Sequence, residues 1–324
     1  LTDTFRDTIE AALAQFCRER PAFPRNLYEP VNYTLSHPAK RMRPLLVLLG
    51  NHLFGGRAAD ALPAALAAEL FHNFTLVHDD IMDNAALRRG KPTVHQKWGQ
   101  STAILSGDVM LVSAYRELAR SKAEHLPALL SIFNRTAAEV CEGQQMDMDF
   151  EREETVTIDQ YLQMTGLKTA VLLGACLEMG AVTAGAGQDE LEKLYAFGKG
   201  IGIAFQLQDD ALDVFGDEHT FGKKKGGDIA ANKKTFLSIK ALELASPAQR
   251  NALRKWEQET GADSGRKIAG VCAIYRELEI ERHALEAFRH YYQDALSRLD
   301  LVKAEPGRKA PIYALVEELF DRQK

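Results

Sequence analysis

The sequence predicts an all-α protein, one large helical bundle with a central cavity, spanning residues 1–324 as a single domain. Three observations predict it. Apolar residues recur at three- and four-residue steps along nearly the whole chain, which is the α-helical period. Period-two alternation, the mark of a half-buried strand, is essentially absent. The Gly and Pro clusters are short, so no long or low-complexity linker divides the chain.

The elements follow in order. Residues 3–17 make an amphipathic helix, and the prolines of 21–30 interrupt the pattern after it. A second amphipathic stretch, 41–53, ends at Gly55-Gly56. Leu62, Leu66, Leu70, Phe74, Val77 and Ile81 then mark a helix that is apolar on more than one side. A helix apolar nearly all round belongs in the middle of a bundle. Amphipathic patterns follow at 101–120, 125–149 and 158–182. The most apolar stretch, 171–187, is interrupted by Glu178 and is too short to span a bilayer, so it reads as a buried helix. Leu194, Phe197, Ile201, Ala204, Phe205, Leu212 and Phe215 mark a second central helix, stopped by the glycines from Gly216 to Gly227. Patterns at 232–245, 248–259, 265–298 and 309–321 complete the bundle, the last beginning after Pro306-Gly307.

Composition narrows the function. Hydrophobic residues are 46% and charged residues 26%, ample for a large core. The net charge of −5 leaves no nucleic-acid footprint. Lys and Arg still cluster locally, at Lys40-Arg41-Met42-Arg43, Arg88-Arg89-Gly90-Lys91 and Lys223-Lys224-Lys225. Basic clusters in an acidic chain suit small anionic ligands better than a polyanion. Cys17, Cys141, Cys176 and Cys272 have neither metal nor disulfide spacing, which fits a reducing, cytoplasmic setting. The chain opens Leu1-Thr2-Asp3, without a charged-then-apolar leader and with Leu where Met would start a chain, so it reads as trimmed.

Each central helix carries the same acidic pattern. Asp79-Asp80-Ile81-Met82-Asp83 and Asp209-Asp210-Ala211-Leu212-Asp213 both read D-D-x-x-D. Positions i and i+4 share a helix face, so Asp79 with Asp83, and Asp209 with Asp213, each form a two-carboxylate claw. Like charges at that spacing destabilise a bare helix. Two such patterns arise by chance in about one chain in three hundred of this length, so the pair points to a bound cation. Carboxylate oxygens suit Mg²⁺, which favours one or two carboxylates plus phosphate oxygens. His78 and His95 stand near the first motif but lack the spacing of a zinc site. Arg makes bidentate contacts to phosphate and Lys acts as a point charge. The aspartates and basic clusters together can hold a diphosphate through Mg²⁺ and a second anion directly. A metal-bound diphosphate is a leaving group, and the carbocation it leaves behind requires a dry apolar pocket.

With these motifs in hand, the chain resembles the trans-isoprenyl diphosphate synthases, or polyprenyl synthetases. The resemblance runs from about Lys40 to Thr235. It rests on Lys40-Arg41-Met42-Arg43-Pro44, His72 through Asp83, Arg88-Arg89-Gly90, Lys168-Thr169, Phe205 through Asp213, Gly222-Lys223 and Asn232-Lys233-Lys234-Thr235. It implies an all-α isoprenoid synthase fold, a homodimer, and isopentenyl and allylic diphosphates as substrates. It also implies roughly three Mg²⁺ ions per site, replaceable by Mn²⁺, each held by carboxylates and diphosphate oxygens. Asp79, Asp83 and Asp209 would ligate the metal, with Asp80, Asp210 and Asp213 in support. Arg88, Lys168 and Lys223 would contact the allylic diphosphate, with Lys233 near it. Lys40, Arg43, His72 and Arg89 would hold isopentenyl diphosphate. Thr169 and Gln206 would line the point where the cation forms. Ionisation, attack by the isopentenyl double bond and proton loss then lengthen the chain by one isoprene unit. Ala39 stands where the family usually has Gly, which puts that phosphate loop in question.

Product length, on the same resemblance, is set just deeper than Asp79. Phe74 and Thr75 occupy the two positions where aromatics shorten the product and small residues lengthen it; here one is aromatic and one small. Phe71 is a second floor if Phe74 points away. The implied product is mainly geranylgeranyl diphosphate, then farnesyl diphosphate. Two rivals stand beside this reading. A terpene cyclase or head-to-head synthase would need no isopentenyl site, against Lys40, Arg43, His72 and Arg89. A non-catalytic regulatory subunit should have lost acidic residues, and both motifs are intact. Arg322 or Lys324, in the basic chain end, is a candidate cover for the diphosphates.

Overall fold

The computed structural model describes residues 1–216, 225–259 and 264–321. Lys223 of the expected diphosphate set lies outside them, as do Gly222 and the tail residues Arg322 and Lys324. The chain is almost wholly helical, as the periodicity predicts, and divides into two compact units.

One unit comprises Leu1–Asn134, Ala175–Glu192 and Lys303–Tyr313. It opens with α1 (Thr2–Arg18), α2 (Arg25–Leu35), α3 (Met42–Leu53) and α4 (Ala58–Met82). A short hairpin, β1 (Leu87–Arg88) against β2 (Lys91–Pro92), is followed by α5 (Val94–Trp98) and α6 (Gln100–Leu118). Helix α4 is the central one, packed on both α3 and α6, which is why its apolar residues surround it. Leu45, Leu48, Leu70, Phe71, Met110 and Leu118 are fully buried here. Two small residues allow α3 to meet the backbone after Ala175. A Cβ on Gly50 would stand 2.3 Å from the Leu177 carbonyl oxygen, and one on Gly180 would fall closer still to that of Val47. Asn51 seals the contact by donating to the Thr183 hydroxyl at 2.9 Å.

The other unit comprises Arg135–Gly174, Lys193–Val302 and Ala314–Lys324. Two long helices begin before it in sequence, α7 (Leu126–Phe150) and, after α8 (Ile158–Thr165) and α9 (Val171–Thr183), α10 (Gln188–Phe215). It continues with α11 (Gly227–Ala230), α12 (Phe236–Leu244), α13 (Pro247–Gln258), α14 (Ser264–Glu277) and α15 (Ile280–Asp300), and takes the end of α16 (Pro306–Phe320). Its core gathers Tyr161, Ala170, Leu207, Leu237, Tyr275 and Ile280.

The differences from the expected elements have local causes. The prolines of 21–30 hide α2, which tolerates Pro30 inside it. Between α4 and α5 the polar turn is a true hairpin. Arg89 and Gly90 take φ of 53° and 74°, the paired left-handed conformations that suit the twist of two strands. The 158–182 pattern is broken by a π-helical turn, Gly166–Ala170. The 265–298 pattern splits because Glu279 takes φ 53° and ends α14, with no Gly or Pro to announce it. The stretch Ile158–Thr183 is long and apolar enough to cross a bilayer by composition, but its most apolar window is 83% buried inside the protein, as in a core helix.

Candidate active site

The first acidic motif occupies the C-terminal turn of α4, and Asp83 is its C-cap. The second lies in the last turns of α10. Helix C-termini carry partial negative charge, so each claw adds to a field that already disfavours it. A cation bound at either motif would relieve that strain there.

In the first unit the motif stands beside a cluster of positive groups. The Arg88 Nε donates to Asp80 Oδ1 at 2.8 Å, and its Nη2 lies 3.3 Å from Asp79 Oδ2. Asp80 is buried, which pushes its carboxyl up against the pull of Arg88. Asp83 is exposed. His72, two turns before Asp79 on α4, is held well below the usual imidazole range by burial and by Arg43, Arg89, Arg88 and Arg41 around it. It is therefore neutral at pH 7 and offers a hydrogen bond rather than a charge. Burial also lowers Arg43 and Arg89, and the Arg43 Nε is buried without a hydrogen-bond partner. Arg43, His72 and Arg89 of the expected isopentenyl set thus lie together, and Arg88 of the expected allylic set lies with them. Lys40 is exposed at the loop before α3.

Arg41 was not among the expected site residues, and it organises that loop. It is buried at φ 46°, with Nε on Glu10 and Nη1 on Glu69, both at 2.7 Å, and Nη2 on the carbonyls of Leu35 and His37 at 2.5 and 3.3 Å. Asn73 supports Glu69 from the next turn at 3.0 Å. Of the three basic residues at 40–43, the middle one is a strut. The sequence signal was Glu69, an acid inside an apolar helix, which must be paired when buried.

In the second unit Asp210 is fully enclosed. Its Oδ2 accepts from the Tyr161 hydroxyl at 2.7 Å and from the Phe236 backbone N–H at 3.1 Å, and its Oδ1 from Gln206 Nε2 at 2.9 Å. Burial pushes its carboxyl up to about 7, against these three donors. Asp210 therefore anchors the motif to α8 and α12, and Gln206 is tied to it. Asp213 accepts from the Asp228 N–H at 3.1 Å, closing the chain back on α10. Asp209 is half-exposed on the same turn. Lys168 and Thr169 sit in the π-helical turn, where Lys168 Nζ is 2.5 Å from Asp147 Oδ2. Such turns recur at functional sites because they shift side chains off the regular helical register. Gly143 gives the π-turn room, since a Cβ there would be 2.2 Å from the Lys168 nitrogen. Lys233 is 3.9 Å from Asp228 Oδ1 and follows Asn232, which takes φ 56° and accepts from the buried Lys267 at 2.5 Å.

The floor candidates lie on α4. Phe71 is 1% exposed and meets Phe133 edge-to-face at 5.3 Å, so it is packed rather than open. Phe74 is half-buried, and the Thr75 hydroxyl donates to the His72 carbonyl. Among the described residues no three acidic, His or Cys side chains stand close enough to hold an ion alone. The donor set still fits Mg²⁺, which takes one or two carboxylates and completes its octahedron with water and phosphate oxygens. The arrangement can hold anions on arginine forks and a metal-bound anion on paired aspartates.

Comparison with known proteins agrees with this chemistry. The polyprenyl synthetase family model matches residues 24–274. A geranylgeranyl diphosphate synthase of Methanosarcina mazei is 42% identical over 222 residues, covering 68% of each chain. A solved geranylgeranyl pyrophosphate synthase superposes with a TM-score of 0.93 at 42% identity over 98% of both chains. Another, from Corynebacterium glutamicum and complexed with isoprenyl diphosphate and magnesium, gives 0.88 at 29% identity over 99% of both. Paired aspartates, clustered arginines and an all-α frame thus coincide with a family match over most of the sequence, and this chain belongs to the polyprenyl synthetases, the trans-isoprenyl diphosphate synthases, as a prenyltransferase.

Proposed function

We propose that this chain is a short-chain synthase that condenses isopentenyl diphosphate with an allylic diphosphate, giving mainly geranylgeranyl diphosphate and secondarily farnesyl diphosphate. The observation that carries the reading is the cluster of Arg43, His72, Arg88 and Arg89 beside the first aspartate motif. A cyclase has no use for a second anion seat of that kind. Arg43, His72 and Arg89, with Lys40, take the isopentenyl diphosphate. Asp79, Asp83 and Asp209 bind the metal of the allylic diphosphate; Asp80, Asp210 and Asp213 support them. Arg88, Lys168 and Lys223 contact that diphosphate, with Lys233 close by. Thr169 and Gln206 face the carbon that loses it. Bound Mg²⁺, which Mn²⁺ can replace, makes the diphosphate a leaving group. The chain's own part is to bind both anions, orient the isopentenyl double bond and exclude water from the cation. Names of similar proteins, geranylgeranyl diphosphate synthases among them, support the product assignment.

A homodimer is supported by helix α6. It exposes Ile104, Leu105, Val112 and Tyr115 by 40%, 57%, 56% and 37%, an apolar face that a second copy would cover. The cysteines leave a cytoplasmic setting as the reading of choice. The test is product analysis after incubation with isopentenyl diphosphate, Mg²⁺ and each allylic starter in turn. Condensation to geranylgeranyl diphosphate is expected. Turnover of an allylic diphosphate alone would establish the cyclase instead.

A further inference from the structure

We infer that His78 and Gly107 help set product length by fixing the ring of Phe74. The inference rests on the reading of Phe74 as the floor of the product pocket. Phe74 is held between two rings of its own helix. Phe71 lies on one side, with centroids 5.8 Å apart, and His78 on the other at 4.7 Å with the planes at 65°. Phe71 cannot give way, because it is buried against Phe133, which in turn meets Tyr115 at 5.0 Å. His78 is at i+4 from Phe74, one turn nearer Asp79, on the same helix face.

His78 is pinned across to α6. Its Nε2 lies 3.1 Å from the Ile104 carbonyl oxygen. A carbonyl only accepts, so the ring nitrogen donates and the imidazole plane is fixed. Asp108 adds an oxygen at 3.8 Å from the same nitrogen. The ring reaches this position only because residue 107 is Gly: a Cβ there would stand 2.3 Å from Nε2 and 2.5 Å from Cδ2. Gly in mid-helix weakens the helix, and here it makes the notch that seats the imidazole. The floor is therefore braced by packed aromatics on its deep side and by a tethered ring on its diphosphate side. Remove the tethered ring and Phe74 gains rotamers that swing it toward the vacated space. The pocket then admits one more isoprene unit in a fraction of turnovers.

The experiment measures product chain-length distributions, not rates, because His78 adjoins a proposed metal ligand and its loss can slow turnover by itself. Wild type, Phe74→Ala, His78→Ala, Gly107→Ala and the double variant Phe74→Ala/His78→Ala are compared with the same starter. Phe74→Ala should lengthen the product. His78→Ala should raise the ratio of next-longer to main product by roughly two- to tenfold, the effect of losing one aromatic contact. Gly107→Ala should shift it the same way, by displacing the imidazole with the sequence of α4 intact. It also improves local helix propensity, so it guards against loss of fold in His78→Ala. The double variant should match Phe74→Ala alone. If Phe74→Ala lengthens the product while His78→Ala and Gly107→Ala leave the distribution unchanged, the inference is overturned and the floor reading stands. If Phe74→Ala changes nothing, the floor reading falls. A shift in His78→Ala under that condition also overturns the inference, since the effect would not pass through the ring.

Discussion

Arg43 and His72 show how much a side chain's shape and proton count matter here beyond its charge. Arg43 presents a planar fork beside a neutral imidazole. Arg43→Lys keeps the charge and loses the fork. It should raise the KM for isopentenyl diphosphate by roughly tenfold, the order of one charge-assisted hydrogen bond, and that for the allylic partner far less. Steady-state kinetics with each substrate varied in turn checks this, and equal effects would reassign Arg43. His72 is depressed in the folded state and titrates near 6.5 in the unfolded chain. Its contribution to stability is full above about 6.5 and is lost as pH falls below it, because the unfolded chain then binds a proton that the folded one refuses. Its share of that slope approaches ~1.4 kcal/mol per pH unit. His72→Asn should flatten the acid side of a stability-versus-pH curve measured by urea denaturation below about pH 6.5. At the proposed metal seat, Asp79→Ala or Asp209→Ala should cut turnover by several orders of magnitude while circular dichroism stays helical.

At the scale of elements, the second motif depends on a connection between helices. Asp210 receives Tyr161 from α8 and the first N–H of α12. Thr235 caps α12 in a capping box with Ser238. Tyr161→Phe should destabilise the protein by about 1–3 kcal/mol, because the buried Asp210 carboxyl group loses a donor. Thr235→Ala should cost about 1 kcal/mol through the cap. Thermal denaturation of both variants checks the ranking. These elements also show where the sequence is readable. The central helices were plain because Leu62 through Ile81 and Leu194 through Phe215 repeat the helical period. The aspartates were plain because like charges inside such a repeat have no structural excuse. The π-turn at Gly166–Ala170 was hidden, since one extra residue per turn barely disturbs an apolar pattern already buried on all sides. The end of α14 at Glu279 was hidden too, since a left-handed non-Gly residue leaves no compositional mark. Arg41 was legible only as part of a basic run, and its burial on Glu69 comes from tertiary packing.

For the molecule as a whole, the all-α fold class and the family that the sequence predicts both hold. Leu105→Glu or Val112→Glu places a charge on the exposed apolar face of α6. If that face joins two copies, either variant should elute as a monomer in size-exclusion chromatography, because an unpaired buried charge costs several kcal/mol. An unchanged elution volume would remove α6 from the interface. The rival regulatory-subunit reading makes a different demand at this scale, an inactive purified protein that activates another synthase.

With Asp79 and Asp80 taken as the proposed metal seat, the bridge from Arg88 to both would make the resting protein its own competitive inhibitor for cations. The guanidinium already occupies the negative potential that a divalent ion would use, so an ion arriving alone must evict it into a region crowded with other arginines. A diphosphate changes the exchange by giving Arg88 a new anion to grip. Affinity for metal and affinity for diphosphate are then reciprocally coupled, each raising the other by the same factor. Calorimetric titration should find metal binding weak without a diphosphate and strong with one. Arg88→Ala should tighten the first and loosen the second, uncoupling the two ligands that the intact side chain compels to arrive together.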